Sequence, residues 1–397
     1  MLALDVGRET STLSEAPAPT RWEVGFTASA AGRVVVGGGT WPSNGLEVEL
    51  DPDLVGAFDV VFEDGAGEAL AVGAAPSIVA RELSARRLPL FVQRRGAFAR
   101  PTPDLDGRAA PAATVVGQRI VVVGGGTVSL AAFDLALMKG LAAQSLPVSA
   151  EALAATNAAV FAAAGARLVR LDLQSAATSE VVVPSTVNAA ELAGAPLVSR
   201  GSGFAWVGPA RAGKPSSAVL FVDADETVHI ARVPTAASQC AAAAMADGAV
   251  LLACAGGAWR LAPDGSATAV PFPAYLDARG VALPVVALTT LDDGTIAAVA
   301  GGHAYRVPAG CDSACVPEDQ GAVPCAGRVQ LVALGAEALL ACDDENGRTH
   351  ALRLQTATPV VVELRESRRQ ATLVAISSRE AALVGGGPAS FERYRPR

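Results

Sequence analysis

The sequence predicts an all-β chain assembled from repeated four-stranded antiparallel units. Three observations carry this: an apolar run ending in glycines recurs along the chain, a second apolar run precedes each copy across a tight turn, and the runs are nearly continuous rather than alternating. The run reads VVVGGGT at 34–40, IVVVGGGT at 120–127 and ALVGGGP at 382–388. Weaker copies are ALAVGAA (69–75), AVFAAAGA (159–166), AVLLACAGGAW (249–259), TIAAVAGGHAY (295–305) and EALLACDDENG (337–347). Most begin about 40–50 residues apart, the period of β-propeller blades. A single copy at 120–127 would suit a dinucleotide cradle, in which a strand delivers backbone N–H groups to a pyrophosphate. Such a site needs one glycine turn, and repetition removes that reading.

Each unit is justified in turn by its neighbours. The segments PAATVVGQRIVVVGG, AAAAMADGAVLLACAGG, PVVALTTLDDGTIAAVAGG, QLVALGAEALLAC and TLVAISSREAALVGGG read as hairpins, two of them with Asp-Gly turns at Asp247–Gly248 and Asp293–Gly294. A third strand follows in VSLAAFDL, ARLVRLDL, TVHIARV, AWRLAPDG, HAYRVPAG and THALRLQ, and a poorer fourth in SEVVVPS and TPVVVELR. Continuous apolar runs require cover on both faces of a sheet. Blades stacked around a ring supply it, with small Ala- and Val-rich strands at the crowded centre. The expectation is therefore a single β-propeller over 21–397, with residues 1–20 a flexible leader. Eight blades are expected and seven are the alternative, because AFDVVF (57–62) could close the first unit or open the second. The chain ends after a third strand, so RWEVGF (21–26) is expected to latch the ring as the missing fourth.

With 397 residues, 51% of them apolar and 18% charged, the chain can bury a large core. A net charge of −8 lacks the electrostatic footprint of a nucleic-acid binder. No apolar run approaches the roughly 18–20 residues that span a bilayer. The start, MLALDVGRET, shows no secretory signal. Six cysteines clustered in the C-terminal half nevertheless favour an oxidising, extracytoplasmic compartment, periplasmic or at a bacterial cell surface.

The stretch RAAPAATVVGQRIVVVGGGTVSLAAFDLALMKG (108–140) resembles a kelch repeat, with a strand ending in Gly124–Gly125 and a third strand ending in Phe133–Asp134. LEVELDPDLVGAF (46–58) resembles the same third strand and its turn. The resemblance implies a propeller like the central domain of galactose oxidase, and an interaction scaffold. Copper radical oxidases of that fold use a Tyr–Cys pair, a second Tyr and two His. Here His229, His303 and His350, and Tyr275, Tyr305 and Tyr394, are scattered over different units without metal-ligand spacing, so no metal or cofactor is expected.

Other candidates have plainer readings. PDLDG (103–107), DADE (223–226), DDG (292–294) and DDENG (343–347) lack Ca²⁺-ligand order and fall where turns are expected. Trp41 and Trp259 follow glycine turns and could sit at a rim, although blade packing suits them better. Ser202 in RGSGF has no neighbouring His in sequence, and no catalytic residues are assigned. The function expected is a non-enzymatic, monomeric scaffold binding a protein or polymer through loops on one face. The alternative is a propeller-type oxidase, lyase or glycosidase acting at the tunnel mouth.

Cys240 and Cys254 lie nearly symmetrically about the Asp247–Gly248 turn and so face one another across a hairpin. Directly opposed Cβ atoms sit about 4.5–5.5 Å apart, near the spacing of a disulfide. Cys325 and Cys342 flank the Gly335–Ala336 turn less symmetrically, which puts Cys325 just before its strand, and Cys311 and Cys315 remain. Non-reducing peptide mapping is expected to return 240–254 and 325–342, with 311–325 the main competitor. Six free thiols in protein from its native compartment would defeat the pairing and the compartment together.

Overall fold

A computed structural model describes residues 2–28, 32–43, 51–79, 81, 88–102, 108–124, 127–201, 203–255, 257–276, 279–311, 315–355, 358–387 and 391–397. The expected LEVEL strand (46–50), the PDLDG cluster (103–107), Gly125 and Ser202 lie outside these residues.

The described residues form eight sheets, and helix among them is confined to short 3₁₀ turns such as Ala189–Glu191 and Gly208–Ala210. Seven sheets are four-stranded, antiparallel and consecutive. Their inner strands are Ala112–Val116, Ala152–Ala155, Leu197–Arg200, Ala241–Ala244, Val285–Thr290, Val329–Leu334 and Thr372–Ser377. Each touches the next, and the seventh touches the first, so the blades close a β-propeller ring. Blades are numbered one to seven in that order.

Core formation follows from the continuous apolar runs. Residues of one parity along Ile120–Val123 and Ser129–Asp134 pack on blade seven, and those of the other parity pack on blade two. Phe161 of blade two meets Phe204 of blade three at 4.9 Å between ring centroids, and Phe133 of blade one meets Phe391 of blade seven at the same distance. Each apolar cluster of the ring is thus shared by neighbouring blades, which is why no blade could be stable alone.

The eighth sheet differs from the expected four-stranded unit. It has six strands, β1 (Leu2–Asp5), β2 (Arg21–Ala28), β3 (Gly32–Thr40), β4 (Val55–Glu63), β5 (Ala69–Val79) and β6 (Leu88–Arg94), in the order β1-β6-β5-β4-β2-β3. Ring closure does not pass through it, so the ring proper counts seven blades and this sheet flanks them. The physical reason lies in β4, where Phe58, Val60 and Phe62 are buried and alternate with partly exposed Asp59 and Val61. A sheet with that alternation has one core face, not two. The core face gathers Trp22, Val24, Phe26 and Leu90 with the β4 aromatics. On the other side of β6, Phe91 packs with Phe133 and Phe391 of the ring, and the Arg393 guanidinium lies 4.7 Å from its ring centroid.

Two expectations are corrected here. RWEVGF does not latch the ring: it lies in β2, between β3 and β4. The latch is β7 (Phe98–Ala99), paired with the third strand of blade seven through Arg393↔Ala99 and Tyr394↔Phe98. Residues 1–20 are also not a loose leader, since β1 pairs parallel with β6 and Arg94 donates to the carbonyls of Thr12 and Pro17 at 3.0 Å.

Buried charge reinforces the latch. Arg368 and Glu392, both without solvent exposure, pair at 2.9 Å, and Glu392 also accepts from the backbone N–H groups of Arg365 and Glu366. Arg365 Nε donates to the Phe98 carbonyl at 2.7 Å. Glu380 is paired with Arg393 and, at 3.0 Å, with Arg395. Burial pushes the Glu380 carboxyl up, but the two guanidinium groups outweigh it and hold it below the usual range.

Phe98 is fully buried, with its ring 5.2 Å from that of Tyr394. Truncating such an aromatic costs about 3–5 kcal/mol. Phe98→Ala is expected to lower the melting temperature of the whole ring, and urea denaturation with an unchanged midpoint would show that β7 does not hold it closed.

Candidate functional site: an arginine-lined cleft on the loop face

Alternating strand directions place two kinds of connection at one end of every blade. These are the turns between second and third strands and the links that enter each inner strand. At that end a cleft of about 720 Å³ opens between blades six, seven and one. Its walls are Arg108 and Ala109 entering blade one, Arg369 and Gln370 entering blade seven, Asn346–Gly347 of blade six, and Gly386–Gly387 of blade seven.

The walls are joined backbone to backbone. Arg369 N–H donates to the Gly386 carbonyl and Gly386 N–H to the Arg108 carbonyl, both at 2.7 Å. Arg348 and Arg369 form an antiparallel bridge. This approach explains the glycine run of blade seven without a nucleotide. A Cβ on Gly386 would lie 2.2 Å from the Arg369 carbonyl oxygen, and the residue has φ +72°, a region that favours glycine. Below the cleft, the buried Arg368–Glu392 pair fixes the link, and Arg368 Nη1 donates to the Gly385 carbonyl at 2.7 Å.

The charge is mostly cationic. Arg108 Nη1 donates to Thr127 Oγ1 at 2.9 Å and to the Ser129 carbonyl. Arg369 and Arg348 are exposed, and neither side chain has a hydrogen-bond or ion-pair partner among the described residues. The acidic turn beside them is largely committed. Asp343 Oδ1 accepts from Thr349 Oγ1 at 2.7 Å. Asp344 accepts from His350 Nε2 and from the backbone N–H groups of Asn346 and Arg348, and the His350 bond is the main cause holding its carboxyl below the usual range. Of the acidic residues of that turn only Glu345 stands exposed.

Where the inner strands of blades six and seven begin, Arg328 Nη1 donates to Thr372 Oγ1 at 3.1 Å, and Thr372 donates to the Pro111 carbonyl. Desolvation pushes the Arg328 guanidinium below its usual value, opposed by Asp343. Gln330 stitches blade six to blade seven, donating to the Ala371 carbonyl and accepting from Leu373 N–H at 3.0 Å each. These polar groups serve the seam between blades.

The sequence candidates fall elsewhere. His229 pairs with Asp223 at 3.2 Å, His303 with Asp319 at 3.0 Å and His350 with Asp344 at 3.1 Å, on blades three, five and six. His303 and Tyr305 lie 6.3 Å apart and Tyr305 meets Tyr275 at 4.7 Å, whereas Tyr394 is buried against Phe98. Burial is the main cause raising the phenol of Tyr305 above its usual range. Among the described residues no group of three or more His, Cys, Asp or Glu could hold a metal ion. Cysteines pair as Cys240–Cys254, Cys311–Cys315 and Cys325–Cys342, leaving none for a Tyr–Cys cross-link. In DADE, Asp223 pairs with Arg200 and Glu226 with Arg170, and in DDG Asp293 accepts from Thr295 N–H. Trp41 packs edge-on against Phe62 at 5.0 Å, and Trp259 packs into the core between blades three and four. Neither forms a rim platform. The cleft arginines were not singled out in the sequence, where their signal was the cationic run in ESRRQ (366–370) of an acidic chain.

No protein-family model matches the chain, and no curated protein matches it. Among solved structures it is similar to a quinoprotein alcohol dehydrogenase-like protein from Bacteroides thetaiotaomicron, at 10% identity over 88% of this chain and 89% of that one, with a TM-score of 0.49. It is also similar to the Pan2 WD40 domain of Neurospora crassa (12% identity, 73% and 90% covered, TM-score 0.48) and to BamB from Moraxella catarrhalis (12%, 87% and 94%, TM-score 0.38). The propeller assignment rests on the closed ring rather than on these likenesses.

Gly386→Ala must move the Arg369 carbonyl or leave the left-handed region, and such backbone strain costs about 1–3 kcal/mol. The expected result is a lower melting temperature, with raised amide hydrogen exchange confined to 365–370 and 384–387. An unchanged exchange pattern would show that the glycine is not needed to bring the cleft walls together.

Proposed function

We propose that this protein is a non-enzymatic, kelch-like scaffold of the bacterial periplasm or cell surface, acting as a monomer. It binds a protein partner in the cleft between blades six, seven and one. The observation that carries this is the cleft itself: about 720 Å³ is within the roughly 300–1,000 Å³ of ligand sites, and its lining holds arginines, amides and glycine backbone. Among the described residues no His, Tyr, Cys, Asp or Glu lines it, so none of them offers a side chain there for general acid–base or nucleophilic chemistry. Three disulfides support an oxidising compartment. The kelch-like reading is supported in blade one, where Phe133 is buried and Asp134 Oδ1 accepts from Ala136 and Leu137 N–H, closing the turn after the third strand.

A displayed library of random peptides selected on the intact protein tests the reading. Selected peptides are expected to lose binding to Asn346→Trp, which fills the cleft from an exposed turn position. Selection of peptides that bind this variant equally well would overturn the cleft as the docking place.

A further inference from the structure

We infer that the partner segment held by this cleft is an acidic peptide, with an Asp, Glu or terminal carboxylate gripped by Arg369 and Arg108; this rests on the scaffold reading above. Arg369 lines the cleft, carries a planar fork of donors, is exposed, and has no side-chain partner among the described residues. Guanidinium groups match carboxylates bidentately, and such charge-assisted pairs are about twice as strong as neutral ones. Arg108 is anchored through Nη1 to Thr127 and Ser129, which holds its guanidinium at the opposite wall. Exposed Arg348, bridged through its backbone to Arg369, adds a third positive charge. Against these, among the described residues of the acidic turn, stands exposed Glu345, since Asp343 and Asp344 are bonded to Thr349 and His350.

The remaining lining separates a peptide from other anions. Asn346 and Gln370 each offer an amide donor and an acceptor, the same pair that a peptide group presents. Among the described residues no Trp, Tyr or Phe lines the cleft, so an acidic sugar polymer finds no ring among them to stack on. Inorganic phosphate would use the arginines alone and leave both amides unmatched.

Fluorescence anisotropy with a labelled peptide of alternating Glu and Ala, against its Gln–Ala counterpart, provides the test. The Glu peptide is expected to bind at least about tenfold more tightly than the Gln peptide, a difference of about 1.4 kcal/mol. Arg369→Gln should remove that preference and Arg369→Lys restore part of it. Arg167→Gln, on an exposed pair with Glu180 in blade two, should change nothing. Equal affinity for both peptides, indifference to Arg369→Gln, or tighter binding of oligogalacturonate or inorganic phosphate would overturn the inference. Library peptides that need the cleft but carry no acidic residues would also overturn it and leave the scaffold reading standing. Glu-peptide binding that survives Asn346→Trp would instead remove the cleft, and with it both readings.

Discussion

Everything in this fold depends on a two-residue pairing. Phe98 and Ala99 supply the outer strand that blade seven lacks, and without them the third strand of that blade would present unpaired backbone groups to solvent. The dependence is global because each apolar cluster of the ring belongs to two blades at once. Loosening one seam uncovers both of its faces. A ring has no spare edge from which to unzip, so a local opening at this seam is the natural start of unfolding.

Buried charge is concentrated at that same seam. Arg368–Glu392 is wholly inside, and Glu380 is shared between Arg393 and Arg395 with little exposure. A well-packed apolar substitute could be equally stable, because desolvation offsets much of the Coulomb gain. What the pairs add is geometry. Glu392 takes two backbone N–H groups as well as a guanidinium, which fixes the 365–368 link against the latch and, through it, the cleft floor. Closure of the ring and shape of the cleft are therefore set by one network.

The sequence made the blades legible because a face covered on both sides leaves a continuous apolar run. Ala159–Ala164 is five-sixths buried without alternation, and the hairpin turns at Asp247–Gly248 and Asp293–Gly294 fall where the sequence puts them. The disulfide geometry was legible for the same reason: the register Ala241↔Ala253 sets Cys240 opposite Cys254. The flanking sheet was harder, since VVVGGGT at 34–40 repeats the blade motif while serving as β3 of a different sheet. The sign that distinguishes it is the strict alternation of Phe58, Val60 and Phe62. The latch was missed because two residues carry no periodicity. The cleft escaped because its arginines lie on separate links, from 108 and from 369, which only ring closure brings together.

The latch strand lies near the start of the ring and its partner at the very end, with Arg95 bonded to Pro396 across 301 positions. Contacts of such separation form late, since the whole intervening chain must be ordered before they return any free energy. Until the third strand of blade seven is in place the seam stays open, and Phe91 and Phe98 lack the partners that Phe391 and Tyr394 give them.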